Sequence, residues 1–233
     1  MGVSLRIIRT GAIAWGILAI FSVACPVLHA IPDLLFQLHD SQVELAQAVL
    51  TVSSFSFLTA GLVMEPVMVV CILLFARAFV RIRTLTGSHI ALITAFLLFL
   101  YAAGRIFWAW ADVNVALSIG SHDHSLLWTP ETMELAGVFK GVAAAGNGTI
   151  ATAVAVSLMI HFKKTELASR FRPGMAGSGI ILATIIPAVM VKIATLWVMP
   201  AFFTALFLLL MTIKSVGIML TAIAVYRQSE ELG

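Results

Sequence analysis

Six blocks of apolar residues, each long enough to cross a hydrocarbon layer as a helix, follow one another along this chain and leave little between them. They lie at about 8–30, 50–79, 88–112, 135–161, 175–198 and 201–226. A bilayer core is matched by about 20 helical residues, each rising about 1.5 Å. Lipid offers no hydrogen bonds, so a spanning segment must pair its own N–H and C=O groups, which a helix does alone. The sequence therefore predicts an all-α, polytopic membrane protein: one six-helix transmembrane domain over 1–233. Hydrophobic residues make up 61% of the chain and charged residues 11%, with mean hydropathy +1.06. A water-soluble domain, about half apolar and a quarter charged, has no core that could absorb this excess.

The basic residues are segregated. Arg6 and Arg9, then Arg77, Arg81 and Arg83, then Lys163, Lys164, Arg170 and Arg172, then Arg227 all fall on one side if six spans alternate. Loops 31–49 and 113–134 carry no Lys or Arg. Positive residues stay cytoplasmic during insertion, which predicts a multi-pass protein of the cell membrane with both termini inside. The net charge of +3 is thus topogenic, and no nucleic-acid partner is predicted. The start of the chain has the outline of a signal peptide but reads as a first transmembrane helix. Within loop 31–49, apolar residues among polar ones suit a helix lying on the membrane surface.

Charge within lipid is costly, by about 2.5–3.5 kcal/mol per group on insertion scales, so each such residue is a functional candidate. Glu65 falls near the middle of the second span, Asn147 of the fourth and Lys214 of the sixth. Arg105 and Lys192 lie outward of their helix centres, and Lys140 and Asp112 nearer the outer surface. Arg105 and Asp112 are two turns apart on one face, with Trp108 between them, and Lys140 and Asn147 share the same spacing. Convergence of Glu65, Arg105, Trp108, Asp112, Lys140, Asn147, Lys192 and Lys214 would give an outward-facing, net-positive pocket. There Glu65 is the protonatable group and Arg105, Lys192 and Lys214 meet an anion. The competing reading is internal pairing: Glu65 with Lys214, Arg105 with Asp112, and Lys140 snorkelling outward.

Pro66 cannot donate the backbone bond that Leu62 would accept, so a break beside Glu65 is expected. The fourth span, with Gly137 and Gly141 in a small-xxx-small pair, suits close helix packing within the bundle or a homodimer contact. Cys25 and Cys71 differ too much in depth to form a disulfide. His122 and His124 could begin a metal site, and His89 and His161 could flank a haem, but neither set is complete, and no cofactor or metal is predicted. No phosphate loop, nucleophile elbow or zinc-protease motif occurs, so no catalytic residue is assigned.

The six spans, together with the basic run from Arg170 through Phe171, Arg172, Pro173, Gly174, Met175, Ala176 and Gly177 to Ser178 and Gly179 leading into a Gly-rich fifth span, resemble an uncharacterised bacterial six-helix integral membrane family. That resemblance implies a bacterial inner membrane and carries over no functional residue. The function read from the residues is binding or transport of a small anionic or amphiphilic ligand. The alternatives are a non-catalytic accessory subunit that docks on other membrane chains, and a membrane enzyme acting on a lipid.

Overall fold

The computed structural model describes residues 2–38, 43–87, 89–121 and 200–231, and everything described is helical apart from the turn at Gly87. Helix α1 is Gly2–Leu38 and α2 is Val43–Thr59. A π-helical turn, Ala60–Met64, joins α2 to α3, Glu65–Thr86. Helix α4 is His89–Ser121 and α5 is Pro200–Glu231. Among the described residues, three segments are long and apolar enough to cross a membrane: Leu5–Ile31, Ala48–Thr84 and Ala91–Ile119, with mean hydropathies of 2.1, 2.3 and 1.8. The fourth and fifth sequence blocks, with Lys140, Asn147, His161 and Lys192, lie outside the described residues, as do His122 and His124.

The helices are longer than the sequence blocks. Loop 31–49 is largely absorbed, since α1 runs on to Leu38 and α2 starts at Val43. Helix α4 continues nine residues past Asp112 to Ser121, which places Arg105 at the midpoint of the Ala91–Ile119 span instead of outward of it. The α3–α4 connection is tight because Gly87 adopts the left-handed conformation (φ 66°) and donates its N–H to the Arg83 carbonyl at 2.8 Å, a common helix stop.

Polarity is distributed inside out. Phe55, Leu62, Val63, Val70, Phe96, Phe99, Ile106 and Trp110 are exposed, while Ser22, Ser53, Ser56, Glu65, Asp112, Asn114 and Thr221 are buried. Contiguous apolar surface on this scale would drive a soluble protein to aggregate, whereas in lipid it is the solvated face.

Helix α1 packs antiparallel to α3 and α5, and α4 packs antiparallel to α3 on its other side. Trp15 stacks on Phe75 with ring centroids 4.3 Å apart, and Phe75 meets Phe79 edge-on at 5.0 Å. Arg9 donates to the Ser229 carbonyl at 3.1 Å, and the Ser215 hydroxyl donates to the Ala19 carbonyl. The start of α1 and the end of α5 therefore share one end of the bundle. Arg77, Arg81 and Arg83 sit at the same end, because Gly11 of α1 faces Leu74 and Ala78 of α3. A Cβ on Gly11 would lie 2.6 Å from the Ala78 Cβ and 3.0 Å from the Leu74 carbonyl oxygen. Gly11→Val should therefore force α1 and α3 apart, costing about 1–3 kcal/mol. A lower midpoint in thermal unfolding of the purified protein would register it, and an unchanged midpoint would refute this contact.

The π turn has a cause in the sequence. Along α2 and into the turn, one buried face runs through Val49, Ser53, Ser56 and Ala60, and along α3 one runs through Glu65, Met68, Ile72, Phe75 and Phe79, with Gly61, Val69, Cys71, Ala76 and Ala78 buried beside them. Each series steps by three or four, as a helix face must. Between Ala60 and Glu65 the step is five. A turn whose bonds reach back five residues absorbs the extra one, and the Glu65 N–H bonds the Ala60 carbonyl accordingly. Pro66, which has no N–H to give, follows at the start of α3.

Candidate functional site

The described helices bring five ionisable or polar side chains into one connected cluster. Glu65 is fully buried at the top of α3, and its Oε1 accepts from Arg105 Nη1 of α4 at 2.7 Å. The same oxygen accepts from the Cys25 thiol of α1 at 3.5 Å. Cys25 Sγ lies 3.8 Å from His29 Nδ1, one turn further along α1. The other ring nitrogen of His29, Nε2, meets Asp112 Oδ1 of α4 at 3.0 Å.

Apolar and aromatic groups hold these side chains in place. The Arg105 guanidinium lies over the Tyr101 ring at 5.6 Å, a cation–π contact. The His29 ring is braced by Phe57 at 5.5 Å and, edge-on, by Trp108 at 6.4 Å. Gly61, inside the π turn, lets α4 approach, since a Cβ there would come 2.8 Å from the Ala109 carbonyl oxygen and 3.1 Å from Asp112 Cβ. Only glycine leaves that space open, so Gly61 sets how near Asp112 and the rest of α4 come to the turn.

Polar capacity is left unused. Glu65 Oε2, Asp112 Oδ2 and Arg105 Nε are buried and have no hydrogen-bond partner among the described residues. Buried polar atoms are normally paired, and each unmet one costs about 1–3 kcal/mol. Within the described residues the two carboxylate oxygens are thus left to take up a proton or a further donor.

Of the residues singled out in the sequence, Glu65, Arg105, Trp108 and Asp112 meet in this cluster. The pairing differs from the alternative considered there. Glu65 pairs with Arg105 and not Lys214, and Asp112 pairs with His29 and not Arg105. Arg105 and Asp112 share a face but stand about 10 Å apart along it, which leaves each to find a partner on another helix. Lys214 is half-buried on α5, within electrostatic range of Arg105, and makes no ion pair among the described residues.

Sequence reasoning overlooked Cys25 and His29 as site residues. A signal existed: they are four apart on one helical face, in a span otherwise lacking a partner for the two carboxylates. Both cysteines are free thiols, in line with the depth argument. His89 is exposed at the start of α4, and among the described residues no group of three or more His, Cys, Asp and Glu side chains is arranged to hold a metal ion.

Fold and cluster together define a class: a helical membrane protein with an ionisable network between its apolar helices. Comparison with protein-family models, with curated proteins and with solved structures finds no match to this chain.

Proposed function

We propose that this protein is a six-span cell-membrane protein with both termini cytoplasmic, and that it binds or carries a small anionic or amphiphilic ligand under the control of a proton on Glu65. The parity of the spans supports the topology. Helices α1, α2–α3 and α4 alternate in direction and α5 ends beside the start of α1, an arrangement that agrees with the two further spans predicted from the apolar blocks of 122–199.

The observation that carries the functional reading is the Glu65–Arg105 pair, 2.7 Å long with the carboxylate fully buried. An anion entering the site needs Arg105 and must compete with Glu65 for it. Protonation of Glu65 removes the competitor and frees Arg105 Nη1, beside Nε, to meet the anion, with Lys214 as a second cation. Proton and anion then bind with positive coupling, reciprocal by thermodynamic linkage and of about 1–3 kcal/mol for an effect of this kind. The remaining polar residues, Trp108, Asp112, Lys140, Asn147 and Lys192, complete the proposed pocket.

Binding of octanoate and of inorganic phosphate to the detergent-purified protein, followed calorimetrically across a pH series, tests this. Affinity for at least one should rise about fivefold or more as pH falls. Glu65→Gln should hold that affinity high and flat with pH, while Arg105→Gln should abolish it. No binding of either probe, or a pH dependence that survives Glu65→Gln, would defeat the proposal.

A further inference from the structure

Glu65 is closed off from solvent, yet it must gain and lose a proton to act as described. With 0% exposure it has no aqueous contact of its own. The groups facing it are Arg105 and Asp112 from α4 and Cys25 and His29 from α1. Through Arg105 it is also coupled to Tyr101 and to Lys214 of α5. Arg105 is a fixed cation and cannot relay protons. The remaining groups form a continuous line. Glu65 Oε1 lies 3.5 Å from Cys25 Sγ, which lies 3.8 Å from His29 Nδ1, and His29 Nε2 lies 3.0 Å from Asp112 Oδ1.

This line runs outward. Cys25 and His29 are one turn apart on α1, and Asp112 stands about 10 Å beyond Arg105 along α4. His29 is 22% and Asp112 7% exposed at the side chain, against 0% for Glu65, so the line is more open toward its far end than at Glu65. Each link has the chemistry it needs: a thiol both donates and accepts, imidazole donates from one nitrogen while accepting at the other, and a carboxyl carries a proton on either oxygen.

We infer that Cys25, His29 and Asp112 form a proton relay between the outer half of the membrane and Glu65. The inference rests on the reading of Glu65 as the protonatable group. A proton arrives on Asp112 while His29 holds its own on Nδ1. Asp112 passes its proton to Nε2, giving an imidazolium beside a carboxylate. The Nδ1 proton then moves to Cys25 Sγ as the thiol proton moves to Glu65 Oε1. Asp112 has lost one proton and Glu65 has gained one. Cys25 and His29 keep their proton counts, and no heavy-atom bond changes. His29 is left with its proton on Nε2, and a tautomer exchange resets it. Asp112 Oδ2 accepts no hydrogen bond among the described residues and so is free to take the incoming proton, which rotation of the carboxyl then presents to His29.

The test follows Glu65 directly. The full chain in lipid nanodiscs is subjected to a pH jump, and the protonated-carboxyl C=O stretch lost in Glu65→Gln is tracked in time by infrared difference spectroscopy. His29→Phe and Cys25→Val should each slow its appearance at least about tenfold, in keeping with the usual scale of positioned proton transfer. The final amplitude should be unchanged. Cys25→Ser, which keeps a group that can donate and accept, should retain most of the rate. Asp112→Asn provides a second route should the His29 variant fail to fold: the amide preserves the contact to His29 but carries no proton, so the same slowing is expected. Unaltered rates in His29→Phe, Cys25→Val and Asp112→Asn would overturn the relay and leave the proposed function standing. Absence of any pH-dependent band assigned to Glu65 would overturn both.

Discussion

Arg105→Met alone is expected to destabilise the protein by about 3–5 kcal/mol, whereas Arg105→Met combined with Glu65→Leu should return most of that loss. Removing the guanidinium strands a carboxylate that is fully buried and already has one oxygen without a partner among the described residues. Replacing both members of a buried ion pair by apolar side chains of similar volume removes that uncompensated charge, and is often neutral or stabilising. Lys214→Met is the contrasting case. Lys214 makes no ion pair among the described residues and feels Arg105 as a like charge, so its loss should be near neutral for stability even while it weakens anion binding. Unfolding of the purified protein in mixed micelles, followed by tryptophan fluorescence, measures all three. Additive losses in the double variant would mean that Glu65 and Arg105 each have a more important partner elsewhere.

What could be read from the sequence was what lipid makes expensive. A carboxylate in an apolar run is conspicuous, so Glu65 stood out, and Arg105 and Asp112 stood out for the same reason. Which charge pairs with which depends on how helices rotate and slide against one another, and apolar composition barely constrains that. One span offers similar lipid-facing surface at many rotations, so Lys214 was as plausible a partner for Glu65 as Arg105. His29 escaped notice because it lay at the edge of the first apolar block, where a polar residue is ordinary. Cys25 is an apolar-looking residue within an apolar run, so its four-residue spacing to His29 is the one sequence signal that links it to the charged groups. The longer helices have a similar origin: Ile31–Leu38 and Val113–Ser121 carry enough polar residues to look like loops, while nothing in them breaks a helix once α1 and α4 are under way.

Deletion of Val63 together with Pro66→Ala is expected to give a folded protein, whereas deletion of Val70 is expected to give none. Both valines are exposed, at 53% and 55%, so burial does not separate the two cases. The difference lies in the phase of the buried face. That face runs through Ala60, then Glu65, then Met68 and Ile72, and the five-residue step from Ala60 to Glu65 is one more than an α-helix accommodates. The π turn at Ala60–Met64 absorbs it. Taking one residue from that turn leaves a four-residue step, which a continuous α-helix satisfies, and replacing Pro66 supplies the N–H that such a helix needs. Taking Val70 instead rotates everything before it by about 100° relative to Ile72, Phe75 and Phe79, since each residue advances an α-helix by that angle at 3.6 per turn. Glu65 would then swing out of the seam with Arg105 and face lipid. The Val63 variant should elute as a monodisperse species with undiminished helical circular dichroism and the Val70 variant should aggregate. The reverse outcome would mean that Pro66, and not the phase of the buried face, dictates the π turn. If the Val63 variant folds but no longer couples protons to anions, the π turn sets the reach of Glu65 toward Arg105 and Cys25. Such a role would explain why the chain keeps a helix irregularity one residue before its most costly charge.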